Sequence, residues 1–370
     1  MKIAILTPNK STATETFIKN HIDFLPFEKI VVFGDKLPYL THKDKPSLIS
    51  RLYIKYVNVL RKILGKKPKS LKAFQLKKLL KSHEVDLVFA EYLITGAEVL
   101  DVCKDLKMPI IPIALGYDIS LYSVLEKYQE KYKQLFQYAS SVIVVSKHMK
   151  TNLLALNCPE SKIIYSPAGP DSSFFELQPK LESKQVLAVG RFVEKKAPHL
   201  TILAFKEVLN KFPDATLVMA GDGVLLNVCK DLVRALKINN SVRFLGVINQ
   251  EQQRELLEES LIFVQHSVIA KNGDSEGTPV AILEAMATGI PVVSTEHAGI
   301  PDIIEHDKTG LLVPEHNIQL MAEMISSLLS NNIRAKELGM HARLHVKQHF
   351  TLKTHIDTIA KVVNKSAKAK

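Results

Sequence analysis

The feature that most constrains this chain is a rhythm, in which short apolar runs alternate with amphipathic stretches along most of its length. A run of about five apolar residues suits a buried strand and falls far short of the roughly 20 that a membrane span needs. Strand and helix in repetition is the pattern of parallel α/β structure. One series comprises KIAIL (2–6), IVVF (30–33), DLVFA (86–90), IIPIA (110–114), VIVV (142–145) and KIIYS (162–166). A second comprises VLAVG (186–190), TLVMAG (216–221), VRFLG (242–246), LIFV (261–264), PVVS (291–294) and GLLV (310–313). Helical patterns over 199–212, 224–236 and 250–257 separate members of the second series, and 317–366 reads as three successive helices. Between the two series, PAGPDSSFFELQPKLESK (167–184) has three prolines and no periodicity, which marks a boundary.

At 370 residues, two domains with a core each are the expectation. The fold class is therefore α/β, with two doubly wound sheets in succession. Ligands of such sheets bind beyond the carboxyl ends of the strands, so two of them facing each other enclose a cleft lined by loops. The start, MKIAILTPNK, reads as a first buried strand, since its apolar run is too short for a signal peptide. Cys103, Cys158 and Cys229 have neither disulfide nor metal spacing, which fits a reducing, cytoplasmic setting.

Charge divides the halves. Residues 1–180 hold 27 Lys+Arg against 17 Asp+Glu, so nearly all of the net +11 lies there. From Lys45 to His83 there are twelve bases and no acid. Tyr53, Ile54, Tyr56, Val57, Leu60, Ile63 and Leu64 interleave with the bases at helical spacing, which suits a helix on an anionic membrane surface. A solvated helix pair is the plainer alternative. No nucleic-acid module accompanies the charge, so nucleic acid is not an expected partner.

The stretch GDSEGTPVAILEAMATGIPVV (273–293) carries the chemistry. Pro279 suits a first helical turn with Thr278 as N-cap, and Gly289 and Pro291 end the helix. The N–H groups near Gly277, Thr278 and Val280 then form an anion site at a positive helix end. Glu276 lies just before that end and Glu284 more than a turn inside. They are too far apart for a hydrolase pair, yet they can bracket one elongated ligand with hydroxyls at both ends and phosphate between. GRFVEKKAP (190–198) adds Arg191 and Lys196 after a strand, as phosphate cations. No Asp-x-Asp occurs anywhere.

GRFVEKKA and the two glutamates, set between two Rossmann-like series, resemble the retaining glycosyltransferases of family 4, which have the GT-B fold. TATETFI (12–18), VIVVSKHMKTNLL (142–154), MAGDGVL (219–225), FLGVI (244–248) and HAGIPDII (297–304) follow in family order. HSVIAKNGDSEGTP (266–279) is most similar to members that build exopolysaccharide or colanic-acid-like polymers.

The resemblance implies an acceptor-side domain at 1–175, a nucleotide-sugar domain at 176–350, and a last helix at 351–370 that packs back on the first domain. It implies a hexosyl transfer from a UDP- or GDP-type sugar to a hydroxyl of a polysaccharide or lipid-linked glycan. No metal or other cofactor is called for, and the enzyme is placed peripherally on the inner membrane face. Arg191 and Lys196 are to neutralise the diphosphate, and Gly277 and Thr278 N–H to touch phosphate and sugar. Glu276 is to hold sugar hydroxyls, Glu284 the ribose, and the backbone near Val247 the base. Asp118, Thr14 and Glu15 are candidates for positioning the acceptor hydroxyl.

In IALGYDIS (113–120), Leu115 stands where the family commonly has a histidine. Ala197 replaces a glycine, and GDG (221–223) reads as a turn. His266 and His297 follow strand ends and read as loop-ordering residues. Rival readings are a GT-B epimerase, a glycogen-synthase-like polymerase, or a nucleotide-sugar-binding protein without turnover.

Overall fold

The computed structural model describes residues 1–9, 16–42, 47–64 and 70–368. Thr14 and Glu15 lie outside the described residues. Among the described residues, twelve strands form two sheets of six. The first sheet contains β1 (Lys2–Thr7), β2 (Glu28–Phe33), β3 (Leu87–Glu91), β4 (Ile110–Ala114), β5 (Val142–Val144) and β6 (Ile163–Tyr165), in the order β2-β1-β3-β4-β5-β6. The second contains β7 (Gln185–Val189), β8 (Thr216–Ala220), β9 (Val242–Gly246), β10 (Ile262–Gln265), β11 (Val292–Thr295) and β12 (Leu311–Val313), ordered β12-β11-β10-β7-β8-β9. Neighbouring strands pair in parallel throughout, β1 with β3 through Ile3↔Leu87 and β7 with β8 through Val186↔Leu217, for example. The apolar runs follow from this, because helices cover both faces of a parallel sheet.

In the first half the helices are α1 (Thr16–Phe24), α2 (Leu48–Ile63), α3 (Leu71–Ser82), α4 (Leu93–Leu106), α5 (Tyr117–Ser120), α6 (Tyr122–Tyr138) and α7 (Lys147–Ala155). In the second they are α8 (Pro198–Val208), α9 (Leu226–Ala235), α10 (Gln250–Glu259), α11 (Val280–Thr288), α12 (Ile318–Ser330), α13 (Asn332–His349) and α14 (Leu352–Lys368). Among the described residues, no helix is long and apolar enough to cross a membrane.

The last helix leaves the half that precedes it. Ile356, Ile359, Val362 and Val363 of α14 join the core of the first half, whereas Val346 and Phe350 at the end of α13 belong to a core of the second. Each aliphatic side chain so buried contributes about 1.5–3 kcal/mol. A buried polar seam fixes the helix's register: Glu91 Oε1 lies 2.7 Å from His21 Nδ1, His21 Nε2 lies 2.9 Å from His355 Nε2, and His355 Nδ1 lies 2.8 Å from Ser166 Oγ. Burial, reinforced by His21, pushes His355 down to about 3, so its ring stays neutral. The two crossings between halves touch. A Cβ added at Gly169 would lie 2.2 Å from the carbonyl carbon of Thr351, so only glycine allows this approach.

Helix α2 corrects part of the sequence reading. Ile54 is buried and Val57 half-buried, both facing the protein, while Leu48, Ile49, Leu52 and Val59 join the exposed apolar face. The sequence pattern alone did not say which side of an amphipathic helix meets the fold.

Candidate functional site

Loops after the strands of the second sheet build the site. After β7, Gly190 N–H donates to Ala220 O and Phe192 N–H to Asp222 O, each at 2.9 Å. This brings the 190–192 segment hard against GDG. A Cβ on Gly221 would fall 1.9 Å from Gly190 O, and one on Gly223 would fall 2.5 Å from Phe192 O. Both glycines have positive φ, +136° and +153°. GDG is therefore a packing requirement for the basic loop as well as a turn.

Held this way, Arg191 is exposed and its side chain makes no hydrogen bond or ion pair with the described residues. The next turn, Glu194–Lys196, ends at Ala197 with φ 38°. Here an alanine occupies a left-handed position that favours glycine. The two lysines of this turn reach the same loop. Lys195 is buried, with Nζ 2.9 Å from Asp274 Oδ1 and 3.0 Å from Ser275 O. Lys196 Nζ lies 3.1 Å from Glu276 Oε1 and 3.2 Å from Gln265 Oε1. Burial lowers the Lys196 pKa and outweighs Glu276, with repulsion from Lys195 and Arg191 adding to the shift.

Glu276 is 6% exposed, and Oε1 meets Lys196 as an ion pair without hydrogen-bond alignment. Burial works to raise its pKa, but the Lys196 and Lys195 ammoniums win and hold it below the ordinary value. The carboxylate is thus charged, desolvated and short of hydrogen bonds, which suits it to accept from hydroxyls.

The backbone beneath it is fixed from behind. Glu276 N–H donates to His297 Nε2 at 3.1 Å, and His297 Nδ1 lies 2.6 Å from Glu315 Oε1. Accepting at Nε2 keeps the ring's proton on Nδ1. His297 orders its loop, as expected, and so does His266, whose Nε2 accepts from His316 N–H at 3.0 Å. Burial lowers His266 to about 4.

The start of α11 differs from the expected cap. Pro279 is itself the N-cap, with φ −74° and ψ 103°, and the helix begins at Val280. Thr278 does not cap it. The Thr278 hydroxyl donates instead to Val145 O, on the opposite half. With no side-chain cap, the N–H groups of Gly277, Thr278, Val280 and Ala281 find no acceptor among the described residues. The helix end therefore presents four unpaired N–H groups, the arrangement that favours an anion.

One turn further on, Glu284 accepts from Gln253 Nε2 of α10 at 2.6 Å. Burial raises its carboxyl to about 7, with Gln253 opposing and Asp171 adding to the rise. Val247, exposed, follows β9 just before the Asn249 capping box that opens α10. Glu284 and Val247 thus flank the α10–α11 side of the site, and Glu276, Lys196 and Arg191 the other.

The first half closes over this site from its own strand ends. Gly277 packs so tightly that a Cβ there would lie 3.0 Å from both Leu115 O and Val145 Cγ2. Ser275 N–H donates to Ser120 Oγ at 3.3 Å, Tyr122 N–H to Asn272 O at 3.0 Å, and Lys147 N–H to Asp302 Oδ2 at 2.6 Å. A cavity of about 250 Å³ remains between the halves, lined by Ser120, Tyr122, His148, Asn152, Ile269 and Ser275 among others.

Asp118 proves to be a framework residue. It is wholly buried, and its carboxylate accepts from Leu93 N–H at 2.8 Å, Leu115 N–H at 3.1 Å and Gly116 N–H at 3.0 Å. Burial lifts it to about 6 against those bonds. With its oxygens already engaged, it shapes the 115–118 turn and is not free to take a proton from an acceptor. Among the described residues no group of three His, Cys, Asp or Glu gathers as a metal site.

Residues 171–345 match the family described as glycosyl transferases group 1. The chain is a glycosyltransferase. The glycosyltransferase is 29% identical, over 99% of its own length and 100% of the relative's, to the amylovoran biosynthesis glycosyltransferase AmsK of Erwinia amylovora. It is 33% identical to the putative colanic acid biosynthesis glycosyltransferase WcaL of Escherichia coli strain K12, over 59% of this chain and 54% of that one. HepE from Anabaena, solved with UDP, superposes with a TM-score of 0.79 at 17% identity, covering 99% of this chain and 100% of that one. Sucrose-phosphate synthase from Thermosynechococcus elongatus superposes with a TM-score of 0.77 at 16% identity over 100% of both chains. The glycosyltransferase has the GT-B fold, as its motif order implied.

Motif reading missed Lys195, the His297–Glu315 pair and Gln253. Two adjacent lysines look alike in a sequence, and nothing local marks Glu315 as the partner of a histidine 18 residues away.

Proposed function

We propose that this enzyme transfers a hexosyl group from a UDP- or GDP-type sugar to a hydroxyl of a growing polysaccharide or lipid-linked glycan. In this reading it acts in exopolysaccharide assembly, retains configuration at the anomeric carbon and needs no metal. The observation that carries the reading is the Lys196–Glu276 ion pair, 3.1 Å long, at the foot of an uncapped helix end and beside an unpartnered Arg191. The names of the relatives, amylovoran and colanic acid glycosyltransferases, support the polymer class. The solved neighbour HepE, bound to UDP and to UDP-glucose, supports the donor class.

In the proposed complex the donor diphosphate takes Arg191, Lys196 and the free N–H groups of Gly277 and Thr278. Glu276, released from sole dependence on Lys196, accepts from hydroxyls of the transferred sugar. Glu284 accepts from the ribose, and the backbone at Val247 meets the base. The acceptor oxygen bonds to the anomeric carbon as its bond to the phosphate oxygen breaks, and the acceptor's proton passes to that leaving phosphate oxygen on the same face. Charge develops on the leaving diphosphate, where the cations and helix end are already in place, so catalysis is orientation and electrostatic stabilisation. The basic first half makes the enzyme peripheral on the cytoplasmic face of a membrane.

Calorimetry against a panel of nucleotide sugars, with and without chelator, tests the donor and metal statements. Turnover by Arg191→Ala, Lys196→Ala and Glu276→Ala tests the site. Wild-type rates in all three folded variants, or no nucleotide-sugar binding at all, overturn it.

A further inference from the structure

The cavity of about 250 Å³ between the halves is unused by the donor site proposed above. Arg191, Lys196, Glu276, Glu284 and Val247 all lie outside its lining. The segment 273–276 is the partition between the two. Its Ser275 carbonyl faces the lysine turn, accepting from Lys195 Nζ at 3.0 Å, and its Ser275 N–H faces the cavity wall, donating to Ser120 Oγ at 3.3 Å.

Both halves contribute to the wall. His148 and Asn152 stand one turn apart on α7, Ser120 ends α5 and Tyr122 begins α6, whereas Ile269 and Ser275 belong to the loop after β10. Gly273 lets the two sides meet. A Cβ there would lie 2.5 Å from Tyr122 Cε1 and 2.6 Å from Ser120 O, and its φ is +87°. Tyr122 N–H donates across the junction to Asn272 O at 3.0 Å, which holds this aromatic residue at the mouth, 61% exposed.

The lining selects the chemistry of an occupant. The chain has 49 Lys+Arg and 38 Asp+Glu, yet none of those described lines the cavity. An anion would find no cation there, and a cation no carboxylate. What the wall offers is neutral and both donates and accepts. Asn152 Nδ2 donates to His148 Nε2 at 3.3 Å, which leaves the ring proton on Nδ1. Burial, with His297 adding, lowers the His148 pKa against Asp302 and Glu315, so the ring is neutral. His148 Nδ1–H, Asn152 Oδ1, Ser275 Oγ and the Tyr122 hydroxyl have no partner among the described residues. Leu125, Leu156 and Ile269 set apolar surface between these groups. An acyl chain would cover the apolar part and leave the polar groups unpaired. A ring that carries several hydroxyls on a C–H frame matches both. Pockets for drug-sized ligands span about 300–1,000 Å³, so this one takes a single ring.

We propose that this cavity binds one neutral pyranose ring, and that the bound ring ties α7 of the first half to the 269–275 loop of the second. The ring is a unit of the acceptor glycan that does not itself react; this assignment rests on the transferase reading, whereas the neutral-sugar site does not. Because the cavity exists only where the halves meet, its occupant favours their closed arrangement. It does so one residue from Glu276, so recognition of the glycan reaches the carboxylate that is to hold the transferred sugar.

The test uses the full chain without nucleotide, so it is decided independently of sugar transfer. Saturation-transfer NMR is run with the methyl glycosides of glucose, galactose, mannose and fucose, one at a time, and with methyl glucuronide. At least one neutral glycoside is expected to bind, and the glucuronide at least about tenfold more weakly. Asn152→Leu removes a donor and an acceptor, and Ala155→Trp fills the cavity from α7. Each is expected to weaken the neutral glycoside at least about tenfold, with the melting temperature near the wild-type value. UDP or GDP binding should be unchanged in both variants, and Glu276→Ala should keep the glycoside signal, which separates this site from the donor's. A disaccharide ending in the preferred ring should bind at least as well as the methyl glycoside. Binding of the single ring without the disaccharide marks a free monosaccharide and overturns the placement on the glycan. No neutral glycoside bound, glucuronide bound equally, or a signal lost in Glu276→Ala but kept in both α7 variants overturns the site.

Discussion

Replacing Glu276 by glutamine separates sugar recognition from nucleotide recognition. Glutamine keeps the volume and removes the charge from a carboxylate that is 6% exposed and 3.1 Å from Lys196 Nζ. Hydrogen bonds to a charged acceptor are worth about 1.5–3 kcal/mol, so losing one hydroxyl contact in the transition state lowers kcat/KM by about 10- to 150-fold. The nucleoside diphosphate should behave in the opposite way. An anion about 8 Å from the diphosphate in a medium of effective dielectric about 40 repels it by about 1 kcal/mol, so UDP or GDP, whichever the enzyme accepts, should bind about fivefold tighter to the variant. Folding pays for the change. Lys196 loses its counter-ion but keeps Gln265 Oε1 at 3.2 Å, so the cost should sit near 3 kcal/mol, the low end for a broken buried pair. Initial rates, calorimetry with the free nucleotide and thermal unfolding give the three numbers. Turnover within about threefold of wild type refutes the assignment of Glu276 to the sugar. Loss of nucleotide affinity in step with turnover refutes it as well, because the carboxylate would then be holding the loop or the nucleotide.

Four further outcomes are expected. Arg191→Ala should leave stability within about 0.5 kcal/mol, because the side chain has no partner among the described residues, yet weaken nucleoside diphosphate binding about 10- to 150-fold in calorimetry. Gly221→Ala should unfold at a much lower temperature, since its Cβ would fall 1.9 Å from Gly190 O, whereas Gly246→Ala, with φ +70° and nothing within 4 Å, should lose only about 1–2 kcal/mol. His297→Ala should reduce transfer without weakening nucleoside diphosphate binding, because it frees the backbone of Glu276 and leaves Arg191 and Lys196 alone. Glu284, its carboxyl raised to about 7 by burial, accepts ribose hydroxyls more strongly when ionised, so donor affinity should rise between pH 6 and pH 8 by up to about tenfold, and Glu284→Gln should flatten that rise.

The fold was legible because parallel strands buried on both faces leave uninterrupted apolar runs. Every run from KIAIL to GLLV became a strand, and the site stretch kept its helix and its glycine stop. What escaped were choices between equivalent partners. The sequence offers Lys195 and Lys196 side by side, and only packing sends one to Asp274 and the other to Glu276. Thr278 has the chemistry of a cap, but Val145 O competes for the same hydroxyl and wins, because the first half folds down onto it. Asp118 follows a glycine at a strand end, as a cleft carboxylate should, and is consumed by three backbone donors, two local and the third, Leu93 N–H, in reach only once β3 and β4 are neighbours. Contacts such as His21 to His355 join residues 334 positions apart and leave no local trace.

The return of α14 to the first half makes the junction between the halves double. Chain passes from one half to the other near Gly169 and back near Thr351, and the two passages lie against each other with no space for a methyl group. A single thread would let the halves swivel in any direction. Two threads laid side by side act as an axle: the lobes can rock about the line they share, but twisting one against the other would pull the threads apart. Donor entry and product exit therefore have one cheap direction of travel. A bulky residue at position 169 should force the two passages apart and loosen that axle without touching any atom of the sugar, since even a Cβ there would lie 2.2 Å from the carbonyl carbon of Thr351.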